Sequence, residues 1–528
     1  MNSVELFDST LRDGSQGEGI SFSLPDKLKI VKLLDDLGMD YIEAGNPGSN
    51  PKDIQFFELL KNVKLKHSKV VAFGSTRRVG VCTKDDDNVV ALNNCGVDTI
   101  CIFGKAWDFH VTDIIKTSLA ENLRMIEDTI RFLSDNNKEV FFDAEHFYDG
   151  YEANSEYAIK CLEAAIKGGA TKLILCETRG GMLCNETERI TKAMVERFDI
   201  PIGVHFHNDC GVAIASSLLS VVAGATQVQG TLIGFGERCG NADLCAVACN
   251  LKFKLGIDCL LEDSFKDITH VAHELGEIAN QRISNNKSFI GRSAFAHKGG
   301  MHIDGIRKNP KSFEHMDPSL VGNSRRLLVS EVAGKALLLE RIQKIYPSFD
   351  KKDKRIPSMI KELKDLEACG YQFEGANASF DLLINKYLHS AKDYFDLVYY
   401  QTSCQQSNED MLDSPHAALV KVEVAGKSAI TAAEGQGPVN ALDKALRKVL
   451  EPFYPQLKGV HLSDYKVRVL DSLDATASVV RVLIESSDNE KSWSTVGVNH
   501  DIIAASWIAL RDSIIWYLQD AGVEPAIK

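Results

Sequence analysis

Nowhere in the 528 residues does an apolar run reach the ~18–20 residues that a helix needs to cross a bilayer. The chain is therefore expected to stay out of membranes. Its first residues, MNSVELFDSTLRDG, lack a basic segment followed by an apolar run, so they do not read as a signal peptide. A strand-like segment begins almost at residue 1 and leaves no room for a transit peptide, so the expected location is the cytoplasm. Positive charge is also short: 60 Lys and Arg face 73 Asp and Glu, a formal net charge of −13. That excludes nucleic acid as the main partner, because phosphate binding needs a basic face. It does not exclude an anionic metabolite, since a metal or a single arginine sets the local sign. The thirteen cysteines contain no CxxC pair and read as reduced thiols. Cys245 and Cys249 share a helix face, but two thiols do not close a metal site. No GxGxxG follows the first strand, which counts against an open dinucleotide-binding sheet.

What is present is an ordinary globular composition, 44% hydrophobic and 25% charged. The chain is too long for one hydrophobic core, so two or three domains are expected. From residue 3 to about 260, β-rich runs alternate with helical patterns. The runs are VELFD (4–8), DYIEAG (40–45), KVVAFGS (69–75), DTICIFG (98–104), EVFFDAE (139–145), KLILCET (172–178), IGVHFH (202–207) and QVQGTLIG (227–234). Helices are expected over 23–38, with Ser23 at its start and Gly38 at its end, and over 154–170. Eight such units predict an α/β fold, a (β/α)8 TIM barrel over 1–265. Residues 266–400 read as helical linker subdomains and 401–416 as a polar linker. The segment 415–528 reads as an α+β domain in which strands followed by a helix occur twice, an internal duplication. The glycine-rich stretches 433–438 and 494–499 stand at matching places before the two helices. There they either offer N–H groups to a carboxylate or only let the chain turn.

A TIM barrel builds its site at the C-terminal strand ends. Those ends carry Arg12 and Asp13, Glu145, Thr178, His205 and His207, and Asn241. Residues two apart on a strand share a face about 6.6 Å apart, so His205 and His207 can chelate one ion. The alternative is a pair of hydrogen-bonded core histidines. Barrel closure brings Asp13 and Asn241 beside them, giving a mixed N/O ligand set with open positions. That set suits Mg²⁺, Mn²⁺ or a catalytic Zn²⁺. Arg12 is placed to hold a carboxylate or stabilise an enolate, or else to pair with Glu43 or Glu145. Glu145 is a candidate for acid–base or positioning work.

The segment LFDSTLRDGSQGEGISFSLPDKLKIVKLLDDLGMDYIEAGNPGSNPKD resembles the start of the citramalate synthases, which group with the 2-isopropylmalate and homocitrate synthases. The resemblance continues through FFDAEHFYDGY (141–151), GVHFHNDCG (203–211), GTLIGFGERCGNADL (230–244), SAFAHKGGMHIDGI (293–306), GYQFEGANASFDLL (370–383), GQGPVNALDKALR (435–447) and STVGVNHDIIAASWIALRDSI (494–514). It implies that Asp13, His205, His207 and Asn241 hold a divalent metal and that Arg12 stabilises the enolate and alkoxide. Glu145 and Thr178 would line the 2-oxo acid pocket, and His302 would reach the site from the linker region. It further implies acetyl-CoA as co-substrate, pyruvate as the acceptor, a homodimer, and an amino-acid effector on the C-terminal domain, isoleucine or leucine. Departures stand at Ala44 and Asn46, where Gly and Trp are common, and at Glu177 and Arg179, where Asp and Asn are usual. Arg179 adds positive charge beside Thr178, where it could favour a different or more acidic 2-oxo acid than pyruvate. The competing expectations are a 2-isopropylmalate synthase and an acyl-CoA lyase running the reverse cleavage.

Overall fold

A computed structural model of the protein describes residues 3–49, 51–327, 342–343, 346, 349–350, 353–388, 392–404, 416–470, 478–488 and 491–526. Its described residues fall into two compact units. The first is residues 1–296 with 313–326; the second is 297–312 with 327–528.

In the first unit eight parallel strands close on themselves. They are β1 (Glu5–Asp8), β2 (Tyr41–Gly45), β3 (Lys69–Ser75), β4 (Thr99–Lys105), β5 (Glu139–Glu145), β6 (Lys172–Glu177), β7 (Ile202–Phe206) and β8 (Gln227–Gly230). Closure is made by β1 against β8, with Glu5 opposite Gln227 and Asp8 opposite Gly230. The intervening helices are α1 (Leu24–Leu37), α2 (Pro51–Leu60), α3 (Asp87–Asn94), α4 (Leu119–Asp135), α5 (Phe147–Gly168), α6 (Cys184–Arg197), α7 (Ala213–Val222) and α8 (Leu244–Asn250). The first of them shows why the boundaries were readable. Ser23 caps α1 in a capping box with Asp26, and Gly38 ends it at φ 87°. A cap of this kind contributes about 1 kcal/mol. Two boundaries differ from the sequence reading. Helix α5 starts at Phe147, not Asn154, and Asn154 is a kink inside it (φ −156°, ψ 79°). Strand β8 stops at Gly230, four residues early, because Thr231 instead bridges to Asp243 and the chain folds into a loop.

The two sides of the strands serve different cores. One set of side chains packs under the helices, with Leu6, Ile42, Ala72, Ile102, Phe142 and Val204 all buried. The alternate set fills the barrel with Phe7, Tyr41, Val71, Cys101 and Phe141. The Tyr41 and Phe141 rings meet edge to face at 5.2 Å. At the N-terminal end Lys172 pairs with Glu5. The interior is thus a plug of side chains, and room remains only toward the C-terminal ends.

In the second unit, helices Ile356–Ala368 and Asn377–Tyr387 contribute a small core with Ile303, Met359, Leu363 and Phe380. Two three-stranded antiparallel sheets follow, 396–404 with 416–424 and 427–435, then 461–469 with 480–487 and 492–499. Helix Pro438–Leu450 follows the first sheet and helix Ile502–Asp520 the second. The sequence-read duplication is therefore a real repeat of three strands and a helix, and both copies share one core around Val420, Leu446, Ile484 and Leu510. Two sequence readings are corrected here. Residues 401–404 and 416 are strand, not polar linker: Cys404 lies opposite His416 in the ladder, while 405–415 lie outside the described residues. They looked like linker because this edge strand is largely exposed. The stretch 494–499 is likewise strand and not a turn before a helix. Its glycine answers to packing, since a Cβ on Gly497 would lie 2.0 Å from the Ala505 carbonyl oxygen. The following helix is instead capped by Asp501.

Candidate active site

The site grows out of the strand period. Residues i and i+2 face the same side, so His205 and His207, Asp143 and Glu145, and Cys176 and Thr178 enter one cavity of about 210 Å³. Arg12 and Asp13 reach it from the turn after β1. That turn is tied by the Arg12 and Gly14 amides donating to the Ser9 carbonyl and by the Asp13 amide donating to Ser9 Oγ at 3.2 Å. Asn241 comes from the β8–α8 loop, which folds back so that Asn241 bridges His207. This fold-back needs Gly240, at φ 82°, where a Cβ would lie 2.0 Å from the Gly234 carbonyl oxygen.

Asp13, His205 and His207 are all buried, and each offers a ligand atom within 4.8 Å of the others. Asp13 Oδ2 lies 3.8 Å from His205 Nε2 and 3.9 Å from His207 Nε2. Asn241 joins them by donating from Nδ2 to Asp13 Oδ1 at 2.8 Å, and its own Oδ1 is buried without a partner among the described residues. Burial opposes the Asp13 charge, but Arg12 leads the groups that hold the carboxyl below the usual carboxylate range. Burial, and then His205, pushes His207 down to about 4, so at neutral pH it is an uncharged imidazole. A carboxylate, two imidazoles and an amide oxygen at one buried point are a donor set that fits a divalent cation.

Arg12 is held on three sides. Its Nε donates to Glu43 Oε2 and its NH1 to Asp13 Oδ2, both at 2.7 Å, and its guanidinium lies 3.8 Å from the centre of the Phe73 ring. Of the two pairings expected for it, the one with Glu43 forms; Glu145 instead pairs with Lys105. Burial works against the Arg12 charge, and the Glu43 and Asp13 carboxylates more than offset it. Thr178 Oγ1 accepts the His146 amide at 3.0 Å. His302 lies on helix Gly300–Lys308 of the second unit.

The cavity has walls that the sequence reading missed: Phe73, Phe103, Asp143, Cys176, Glu237 and Arg238. Four of these sit on β3, β4, β5 and β6, one period below the strand ends, so extending the i, i+2 rule inward would have found them. A second cavity of about 550 Å³ shares Arg12, Gln16, Phe73 and Phe103 and is also lined by Asn46. Among the departures, Ala44 is buried. Arg179 does not line the 210 Å³ cavity; it lies 3.3 Å from Asp149 and over Trp107. Glu177 is buried, and burial, with Asp149 adding to it, pushes its carboxyl up to about 7.

The Glu177 shift makes a prediction. A carboxyl whose folded pKa lies above its unfolded value costs stability as pH rises from about 4.5 to about 7, and the cost stays above that. Glu177→Gln removes the titration and keeps an acceptor for the Gly181 and Met182 amides. It is expected to raise stability at pH 8 by about 1–3 kcal/mol and to change little at pH 4. Thermal melts of both proteins across that range check this, and a gain that is the same at both ends would refute it.

The closed barrel with its Asp–His–His cluster defines a class, and the family described as HMGL-like matches residues 3–274. The homocitrate synthase post-HMGL domain-like family matches 289–369, and the LeuA allosteric (dimerisation) domain matches 374–517. The chain is 48% identical to the (R)-citramalate synthase of Aquifex aeolicus and 46% identical to that of Geobacter sulfurreducens, each across 98% of both chains. A probable 2-isopropylmalate synthase of Methanopyrus kandleri is 27% identical over 95% of this chain and 96% of its own. The chain belongs to the (R)-citramalate synthase family.

Proposed function

We propose that the protein condenses acetyl-CoA with pyruvate and hydrolyses the thioester, giving (R)-citramalate and CoA. One observation carries the choice of acceptor: five (R)-citramalate synthases match almost the whole chain at 41–48% identity, against 27–28% for three relatives named probable 2-isopropylmalate synthase. The position of Arg179 outside the cavity supports pyruvate over a more acidic acceptor.

In this reading Asp13, His205, His207 and Asn241 hold the divalent metal, Mg²⁺, Mn²⁺ or Zn²⁺. When bound it supplies Lewis acidity to the acceptor's ketone and carboxylate oxygens. The chain's own residues do the rest. Glu145 and Thr178 orient the acceptor at the rim. The larger adjoining cavity gives acetyl-CoA a route past Phe73 and Phe103. His302 and Glu145 handle protons, one methyl proton leaving the acetyl group. The enolate carbon attacks the ketone, and Arg12 donates to the oxygen that gains charge. Water then cleaves the thioester, which makes condensation effectively irreversible. The test is CoA release, followed with a thiol reagent, from acetyl-CoA plus pyruvate, 2-oxoisovalerate, 2-oxobutyrate or 2-oxoglutarate. Pyruvate is expected to give the highest kcat/KM; preference for 2-oxoisovalerate would move the protein to the 2-isopropylmalate synthases.

The second unit is proposed to make a homodimer and to bind isoleucine, the amino acid to which citramalate leads. Exposed apolar residues on the two sheets, among them Val398, Ile430 and Val469, support a self-associating surface. Allosteric coupling of about 1–3 kcal/mol, roughly 5–150-fold in affinity, is the usual range. A cut after residue 400 would sever the strand Asp396–Cys404 and strip the sheet from helix Asn377–Tyr387, so the test keeps the full chain. Isoleucine is expected to inhibit at concentrations where leucine does not. Inhibition by neither would make this unit purely structural.

A further inference from the structure

We propose that Asp143 and Gln229 form a positioning chain that fixes the tautomer of His205 and so turns its Nε2 lone pair toward the metal site. The inference rests on the metal reading above and assigns two residues that no ligand set includes.

The three groups come from neighbouring depths of β5, β8 and β7, and all are buried. Gln229 Nε2 donates to Asp143 Oδ1 at 3.2 Å, and Gln229 Oε1 lies 3.0 Å from His205 Nδ1. The two ends of a primary amide have nearly the same shape, so its direction is set by its partners. Here Asp143 Oδ1 sets it. That oxygen already accepts the Cys101 thiol at 3.0 Å. With that donor aimed at it, Oδ1 is an acceptor, and a proton on the buried carboxyl belongs on its other oxygen. The NH₂ end of Gln229 therefore faces Asp143, and its oxygen faces His205. An acceptor at Nδ1 requires that Nδ1 carry the hydrogen. In the neutral imidazole, the form that ligates a cation, Nε2 is then bare, and it is Nε2 that lies 3.8 Å from Asp13. A proton on Nε2 would close that ligand position. His207 has no such support among the described residues, where its buried Nδ1 finds no partner. Orientation of the histidine pair thus falls on His205 and the two residues behind it.

Gln229→Leu removes the acceptor, and Asp143→Asn lets the Gln229 amide face either way. Both are expected to weaken Mn²⁺ binding by about 10–100-fold, the usual cost of losing a residue that orients a ligand, in calorimetric titrations of folded protein. In metal-free protein with ¹⁵N-labelled histidine, His205, assigned by its loss in His205→Asn, is expected as the Nδ1–H tautomer in the wild type and as a mixture in both variants. Asp143 also lines the cavity, so affinity and tautomer are read rather than activity. If Gln229→Leu does not fold, Asp143→Asn carries the test alone. A lower Tm with unchanged Mn²⁺ affinity and tautomer would overturn the positioning chain and leave a structural role. Absence of Mn²⁺ binding in the wild type would instead overturn the metal site itself.

Discussion

Asp13→Ala is expected to strip the divalent cation and lower turnover by roughly 10³-fold or more, beyond the 10–100-fold typical of a residue that only supports a ligand. Asp13 is the one carboxylate in the cluster of three. Its Oδ2 faces both histidines, while Arg12 and Asn241 hydrogen-bond its two oxygens. Removing it subtracts one of the two carboxylates that offset Arg12, so an arriving cation would meet a guanidinium countered by Glu43 alone. Imidazole and amide donors bring no negative charge and cannot replace it. His207→Ala is expected to act in the same direction. The checks are metal content of the purified protein, CoA release with pyruvate, and a melting curve to show that the fold survives. Full metal content with normal turnover would remove Asp13 from the ligand set.

The second large effect is expected at Arg12. Losing one group that stabilises a developing oxyanion lowers turnover by about 10²–10³-fold, and Arg12→Lys is expected to fall in that range while keeping the metal. Lysine keeps the charge but has no fork to bridge Glu43 and Asp13 or planar group to lie on Phe73. Arg12→Ala adds a second cost, because Glu43 is fully buried and would lose the cation paired with it. Stranding one partner of a buried pair typically costs about 3–5 kcal/mol. Arg12→Ala with Glu43→Gln should therefore recover the melting temperature of the wild type but none of its turnover. Recovery of turnover would show that Arg12 matters only to folding.

The barrel was legible because its signals are local. Ser23, Asp26 and Gly38 mark the ends of α1 by themselves, and β3 and β5 begin and end where their apolar runs do. The candidate site was legible where a polar side chain stood at or just past a strand end, as Glu145, Thr178, His205 and His207 do; they line one cavity with Asp13, which comes from the turn after β1. Phe73 and Phe103 were hidden because an aromatic on a strand reads as core, and only the cavity above them distinguishes a wall from filling. Gln229 was hidden for a similar reason: a buried glutamine has meaning only once its two partners are known, and they lie 86 and 24 residues away. In the second unit, the strand 396–404 was obscured because an exposed edge strand lacks the alternation that burial on one face imposes.

The two rings of that wall are not equally free to change. They stack at 5.1 Å with their planes 14° apart, and both border the two cavities. Phe73 carries the Arg12 guanidinium on its face, whereas Phe103 has only the more distant Lys105 ammonium at 5.8 Å. For anyone wishing to re-engineer the enzyme toward bulkier acceptors, this separates the scaffold from the dial. A library at position 103 is expected to act first on pocket size and to reach Arg12 only through the Phe73 ring, while one at position 73 loosens Arg12 directly and is expected to return mostly inactive clones.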